Sequence, residues 1–194
     1  MTQDEATRDR VVRVADELFY TRGVQAVGMD AVRAAAGVPL KRIYALFGSK
    51  DELILAVLRH RMSVWDAGIA AEAERAATAR DRILAIFDFL DAWFREPDFR
   101  GCGFINAFGE LGAASPAVTE AVREQKSTFQ EYLARLVAET GAPADLAPQL
   151  AILAEGAQTT AAISGTPEAA RQARAAAVTL LDAAIHHAGD LVPG

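Results

Sequence analysis

The segment from Met29 to Lys50, MDAVRAAAGVPLKRIYALFGSK, constrains this chain more than any other. Met29, Val32, Ala35 and Ala36 recur at helical spacing, which predicts a short helix with one apolar face. Gly37 ends it, because the left-handed backbone that terminates a helix is cheap only for glycine. Pro39 suits the first turn of a second helix, where its missing N–H would go unpaired in any case. That helix is expected over residues 39–47, with Ile43 and Phe47 facing inward at spacing four. Two short helices around a glycine turn form a helix-turn-helix. The outer face of the second carries Leu40, Lys41, Arg42, Tyr44 and Ala45, residue types that reach phosphates and base edges in a major groove.

Helical periodicity continues on both sides. Hydrophobic residues make up 52% of the chain but aromatic residues only 7%, so much of the apolar content is alanine and the fold is expected to be all-α. Residues 1–6 are polar and expected to fray. A first helix over residues 7–21 should bury Val11, Val14, Ala15, Leu18 and Phe19, leave Arg8, Arg10 and Arg13 outside, and end at Gly23. Ser49-x-x-Glu52 reads as a capping box opening a long helix. Leu53, Ile54, Val57, Leu58, Met62, Trp65 and Ile69 share one face of it, so it should lead from the head into the rest of the chain. Residues 70–78 carry no clear stripe. Further helices are expected over 79–95, broken by Pro97, then over 116–140, 146–164, and from Pro167, with Thr166 as N-cap, to about 187. Residues 100–112 hold four glycines and predict a turn and a short helix. The expected division is a three-helix head at 1–48 and a larger helical domain at 49–194.

The net charge of −6 is unevenly spread. Residues 1–61 hold ten Lys/Arg against eight Asp/Glu, while residues 62–194 hold ten against eighteen. A basic head on an acidic body suits a protein that presents one end to phosphate. The polar start predicts no signal peptide, and the best apolar run, residues 150–163, is broken by Glu155 and Gln158, so no membrane span is expected. A single cysteine, Cys102, excludes an intramolecular disulfide and fits a reducing cytoplasm.

The run AAGVPLKRIYALFGSKDEL resembles the DNA-binding signature of the TetR family of bacterial transcriptional repressors. The resembling positions are Gly23, Val32, Ala36, Gly37, Val38, Tyr44, Phe47, Lys50 and Leu53, within residues 8–58. Gly28 stands where the family usually caps the first short helix with Ser or Thr, and Pro39 where it often has a small polar residue. The resemblance implies a DNA-contact set of Gly28, Met29, Pro39, Leu40, Lys41, Arg42, Tyr44 and Lys50. Lys41 and Arg42 read bases, Tyr44 and Lys50 touch phosphate, and Lys50 adds its charge to a helix N-terminus. For Tyr44 the alternative is a core aromatic, for Lys41 and Arg42 a solvated pair. Leu40 either meets a thymine methyl or shields the helix end.

The last two helices are rich in small residues, which let helices approach closely. In the resembling family they pair with their copies across a two-fold axis, implying a homodimer with Leu150, Leu153, Ala157, Ala173, Ala177 and Leu181 at the interface; ordinary packing within one chain is the alternative. Trp65, Phe87, Trp93, Phe104 and Phe108, with Asn106 and Gln158, are the candidate lining of a small-molecule site for a mostly apolar, neutral or cationic effector, against the alternative of a plain core. Its entrance is expected near Gly101–Gly112. No catalytic constellation, cofactor motif or metal-ligand spacing is present; His186 and His187 read as a dipole complement, and Cys102 as packing or a lone thiol. The expected function is a ligand-responsive repressor that binds a palindromic operator as a homodimer. The rivals are a constitutive DNA-binding module and an enzyme with an appended helix-turn-helix.

Overall fold

The computed structural model describes the backbone of residues 2–190 and side chains to residue 185. Among these, every regular element is helical: α1 (Gln3–Arg22), α2 (Met29–Ala36), α3 (Leu40–Phe47), α4 (Lys50–Ala73), α5 (Ala79–Trp93), α6 (Gly103–Leu111), α7 (Pro116–Thr140), α8 (Leu146–Ser164) and α9 (Glu168–Asp190). None is long and apolar enough to cross a membrane. His186 and His187 lie outside the described side chains.

Local chemistry sets most helix ends. The Gly37 φ of 62° places it in the left-handed region, and its N–H closes onto the Arg33 carbonyl. The Ser49 hydroxyl accepts from the Glu52 N–H at 3.1 Å, the forward half of the expected box. Leu146 and Ser164 bound α8 as the sequence predicts. Residues 3–6 do not fray, however. Thr2 and Glu5 form a reciprocal capping box, so α1 starts at Gln3, four residues ahead of the expected start. Pro39 and Pro167 each stand just before the helix they were expected to begin, and α5 stops at Trp93 instead of Arg95.

The chain forms two compact units. One comprises the chain as far as Val64 together with Gly103–Glu124; the other comprises Trp65–Cys102 and the chain from Gln125 onward. α4 and α7 therefore supply residues to both. In the first unit α1, α2 and α3 pack on one another. Val11, Val12, Ala15 and Phe19 of α1 are buried with Val32, Ile43, Phe47, Leu53, Ile54, Val57 and Leu58. Val12 takes the inward place expected of Val14, which is half-buried like Leu18. Arg8 is not outside: it donates to the Leu46 carbonyl at 2.6 Å and stands 4.3 Å from the Phe47 ring centre. Arg61 is also drawn in, paired with Asp16 and stacked 3.7 Å from the centre of Tyr20.

In the second unit α5, α8 and α9 pack together around Ile83, Phe87, Leu90, Leu150, Ala154, Ala177 and Leu181. Ion pairs pin α9 to α5 at its rim, Arg80 to Asp182 and Arg174 to Asp88, both at 2.7 Å. Trp65 meets Phe89, Trp93 and Phe129 edge-on with ring centres 5.4–5.8 Å apart. Edge-to-face contacts of this kind add to the burial energy of the rings.

Candidate DNA interface and effector site

The helix-turn-helix is built as its sequence dictates. Ile43 and Phe47 are buried, and the next residues around the helix turn outward. Lys41, Arg42 and Tyr44 are exposed together on α3, with Pro39 exposed at its start and Leu40 half-buried. Tyr44, at 41% exposure, is not a core aromatic. Gly28 is exposed and Met29 half-buried at the start of α2. Lys41 and Arg42 present cationic donors of the type that pairs with guanine edges or phosphates. Arg42 is held in an ion pair with Asp4 of α1 through one guanidinium nitrogen, so a carboxylate competes there with any other acceptor. An open groove of about 430 Å³ beside the head adds Arg8, Arg13, Arg59 and His60 against Asp9.

Lys50, expected at a phosphate, also has a partner inside the chain. Its ammonium turns inward, donates to the Val24 carbonyl at 2.7 Å and lies 5.9 Å from the Phe19 ring centre. It fixes the loop between α1 and α2, using one of three donors. On the same loop the Glu110 carboxylate accepts from the backbone N–H groups of Val24 and Gln25, at 3.0 and 2.8 Å. Glu110 was not in the expected DNA-contact or effector set. Its partners lie 85 and 86 residues away, and no spacing signals such a contact.

The residues expected around one effector do not share a unit. Phe104, Asn106 and Phe108 belong to the first, Trp65, Phe87, Trp93 and Gln158 to the second. Asn106 borders a cavity of about 30 Å³ alongside Arg61 and Glu110. That space is far below a drug-sized pocket. Phe104 is buried, and Phe108 is half-exposed. Phe87 is buried among the aliphatic residues of the second core.

Two buried polar groups in the second unit stand out. Gln158 of α8 donates its amide N–H to the Ala154 carbonyl at 3.3 Å, which fixes the orientation of the amide. Among the described residues its Oε1 has no donor, and neither does Oε1 of Gln125 on α7. Both residues are at most 5% exposed. The Lys126–Glu155 ion pair, at 3.4 Å, ties together the stretches of α7 and α8 that carry them. Lys126 Nζ also lies 3.7 Å from the Cys102 thiol. Phe129, one turn beyond Gln125, carries the neighbourhood on to Trp65. Gln125 was not in the expected set; a glutamine inside a charged run gives no sign of burial.

The residues expected to pair two copies are already used within one chain. Leu150, Ala157, Ala173, Ala177 and Leu181 are buried in its own core, and Leu153 is half-buried against it. The outward face of α8 instead carries Ile152, Gly156, Thr159 and Ile163, with Ile152 at 70% and Ile163 at 83% exposure. On α9 the outward residues include Gln172, Ala175, Thr179 and Ala183.

Comparison with known proteins agrees with this architecture. Residues 11–57 match the model of the bacterial regulatory proteins of the tetR family, and residues 79–177 match the tetracyclin repressor-like C-terminal domain. A TetR-family transcriptional regulator from Streptomyces coelicolor superposes with a TM-score of 0.86 at 28% identity, covering 93% of this chain and 97% of that one. A second, from Streptomyces avermitilis, gives 0.81 at 31%, covering 92% and 97%. The HTH-type transcriptional activator FasR of Mycolicibacterium smegmatis is 30% identical over 144 residues, which are 68% of this chain and 65% of FasR, so the match spans just under two thirds of that relative. With both family models matching in order and the helix-turn-helix in place, this chain belongs to the TetR family of DNA-binding transcriptional regulators.

Proposed function

We propose that this regulator binds an inverted-repeat operator as a homodimer through α3 and leaves it when a small molecule occupies the second unit. The observation that carries the DNA half is the joint exposure of Lys41, Arg42 and Tyr44 on a helix whose opposite face is anchored by Ile43 and Phe47. Lys41 and Arg42 read bases, while Tyr44, Pro39 and the α2 entry at Gly28 and Met29 follow the backbone. Lys50 sets the loop behind them and has donors left for a phosphate. A reader of this kind needs a symmetric partner, because two heads must meet major grooves about 34–36 Å apart. The outward faces of α8 and α9, with Ile152 and Ile163, are the surface assigned to that partner.

The orphaned oxygens of Gln125 and Gln158 support an effector. A buried acceptor without a donor is costly, and a ligand bringing an N–H or O–H removes that cost. The effector class is therefore a mostly apolar molecule carrying at least one donor, neutral or cationic, lying against the Trp65 aromatic cluster. It acts by population shift: bound preferentially to a form with the wrong head spacing, it lowers operator affinity by that preference. The protein works where its DNA is, in the cytoplasm, and needs no cofactor or metal for this cycle.

Footprinting on the DNA flanking its own gene tests the reading. An inverted repeat with half-sites one helical turn apart, protected by the free protein and released by a ligand that also quenches tryptophan fluorescence, is the expected result. Protection without symmetry would remove the dimer, and no protection would remove the reading itself. FasR is named an activator, which favours a second reading of the sign of control. A reporter fused to the footprinted promoter separates the two: deleting the regulator raises expression under repression and lowers it under activation.

A further inference from the structure

The loop that leads α1 into α2, residues 23–28, is held by side chains from two distant elements. Glu110, in the last turn of α6, accepts from the Val24 N–H at 3.0 Å on one carboxylate oxygen and from the Gln25 N–H at 2.8 Å on the other. The Gln25 side-chain amide donates back to the Glu110 main-chain carbonyl. Lys50, at the start of α4, donates to the Val24 carbonyl at 2.7 Å. The peptide groups flanking Val24 are therefore gripped through both N–H and C=O. Gly23 completes the fit. Its φ is +87°, so another residue would be strained there, and its Cβ, 3.2 Å from a carboxylate oxygen of Glu110, would push that carboxylate by a few tenths of an ångström.

These N–H groups belong to no helix, and water would otherwise satisfy them. A charged acceptor with both oxygens engaged is stronger than a neutral one and fixes direction as well as distance. The loop has six residues, and α2 and α3 follow it directly. Whatever sets the position of Val24 and Gln25 therefore sets where α2 starts, and with it the pose of α3.

We infer that Glu110 is a positioning residue for DNA reading: α6 holds the reading helices in place through the Glu110 carboxylate, although Glu110 itself touches no DNA. This rests on α3 being the DNA reader. It adds a requirement the helix-turn-helix does not contain, namely a carboxylate supplied from about sixty residues further along the chain.

The test uses the full chain and its footprinted operator, with Glu110→Gln as the main variant. Glutamine keeps the shape but retains one acceptor and sets an NH₂ against a backbone N–H. Gln25→Ala, which removes only the return hydrogen bond, is the milder second variant. Operator titrations over a salt series are paired with amide hydrogen exchange. Expected for Glu110→Gln is roughly tenfold weaker operator binding, an effect the size of one charge-assisted hydrogen bond. The slope of log K against log salt should stay unchanged, because no phosphate contact is removed. Exchange should speed up at Val24 and Gln25 while the α5, α8 and α9 amides keep their protection. Gln25→Ala should shift both readouts the same way by a smaller factor. Wild-type affinity with accelerated exchange at Val24 and Gln25 would overturn the inference and leave α3 as the reader. Weaker binding with protection lost throughout the chain would overturn it too, reducing Glu110 to a stability role. Failure of the DNA reading itself would appear separately, as wild-type protein that does not bind the operator.

Discussion

Arg42, the proposed base reader, is paired with Asp4 in the free chain. The pair is exposed on both sides, so it adds little to stability, from about zero to 1 kcal/mol. It still competes with DNA, since Asp4 occupies part of the Arg42 guanidinium and repels phosphate. Asp4→Asn should therefore raise operator affinity by up to about fivefold with the melting temperature almost unchanged. Arg42→Ala should instead relax preference at one or two base pairs, at about 1–3 kcal/mol for each bidentate arginine–base pairing it removes. Fluorescence titrations with single-base operator variants distinguish the two. Gly37 gives a residue-scale prediction of another kind. Its Cβ position is open space, so Gly37→Ala meets no neighbour and costs only the left-handed backbone, about 1 kcal/mol by chemical denaturation. Gly37 and the exposed face that carries Arg42 were legible in the sequence because each depends on near neighbours, a turn and a spacing of four; the Asp4 pairing, 38 residues away, was not. The roles of Lys50 and Glu110 were not, because they depend on which distant backbone group the fold brings within hydrogen-bonding reach.

At the scale of elements, α8 and α9 separate two kinds of small residue. Helical spacing marked the bounds of α8 and, to within three residues, of α9, while small-residue content and the family resemblance put Leu150, Ala177 and Leu181 on an apolar stripe facing a second copy. It could not say what covers that stripe, because a face packed on α5 and one packed on a second copy have the same composition. In the structure Ala177 and Leu181 are fully buried inside one chain. Ala177→Glu should therefore unfold the second unit rather than split a dimer, because an unpaired charge would be buried there. Ile163→Lys, at a site that is 83% exposed in the single chain, should leave a folded protein with wild-type helicity that sediments as a monomer. Sedimentation and circular dichroism on the two variants check this, and a dimeric Ile163→Lys would move the interface elsewhere. The start of α1 carries a similar lesson. The Thr2–Glu5 box is the same signature as Ser49–Glu52, but a polar chain end drew attention away from it.

For the whole molecule, the uneven charge and the family signature made the all-α regulator legible from the residues alone. The grouping of elements was not legible from chain order, because α6 and the start of α7 join the head's compact unit while the intervening α5 belongs to the other. The proposed effector site was the least legible part: aromatic content marks a core and a pocket alike, and the proposal rests instead on the oxygens of Gln125 and Gln158, which have no partner among the described residues. Gln158→Leu removes one such acceptor. It should hold or raise the melting temperature of the free protein and weaken effector release of DNA, as read by paired melting and displacement titrations. Whether exposed α3 residues read a two-fold DNA site is decided most directly by selecting bound duplexes from a random pool with wild-type protein and with Arg42→Ala. The wild type should recover an inverted repeat with half-site centres about 10 base pairs apart, and the variant the same repeat with relaxed preference at symmetric positions. Recovery of no repeat, or of identical preferences from both proteins, would contradict the assignment of α3 as the reader.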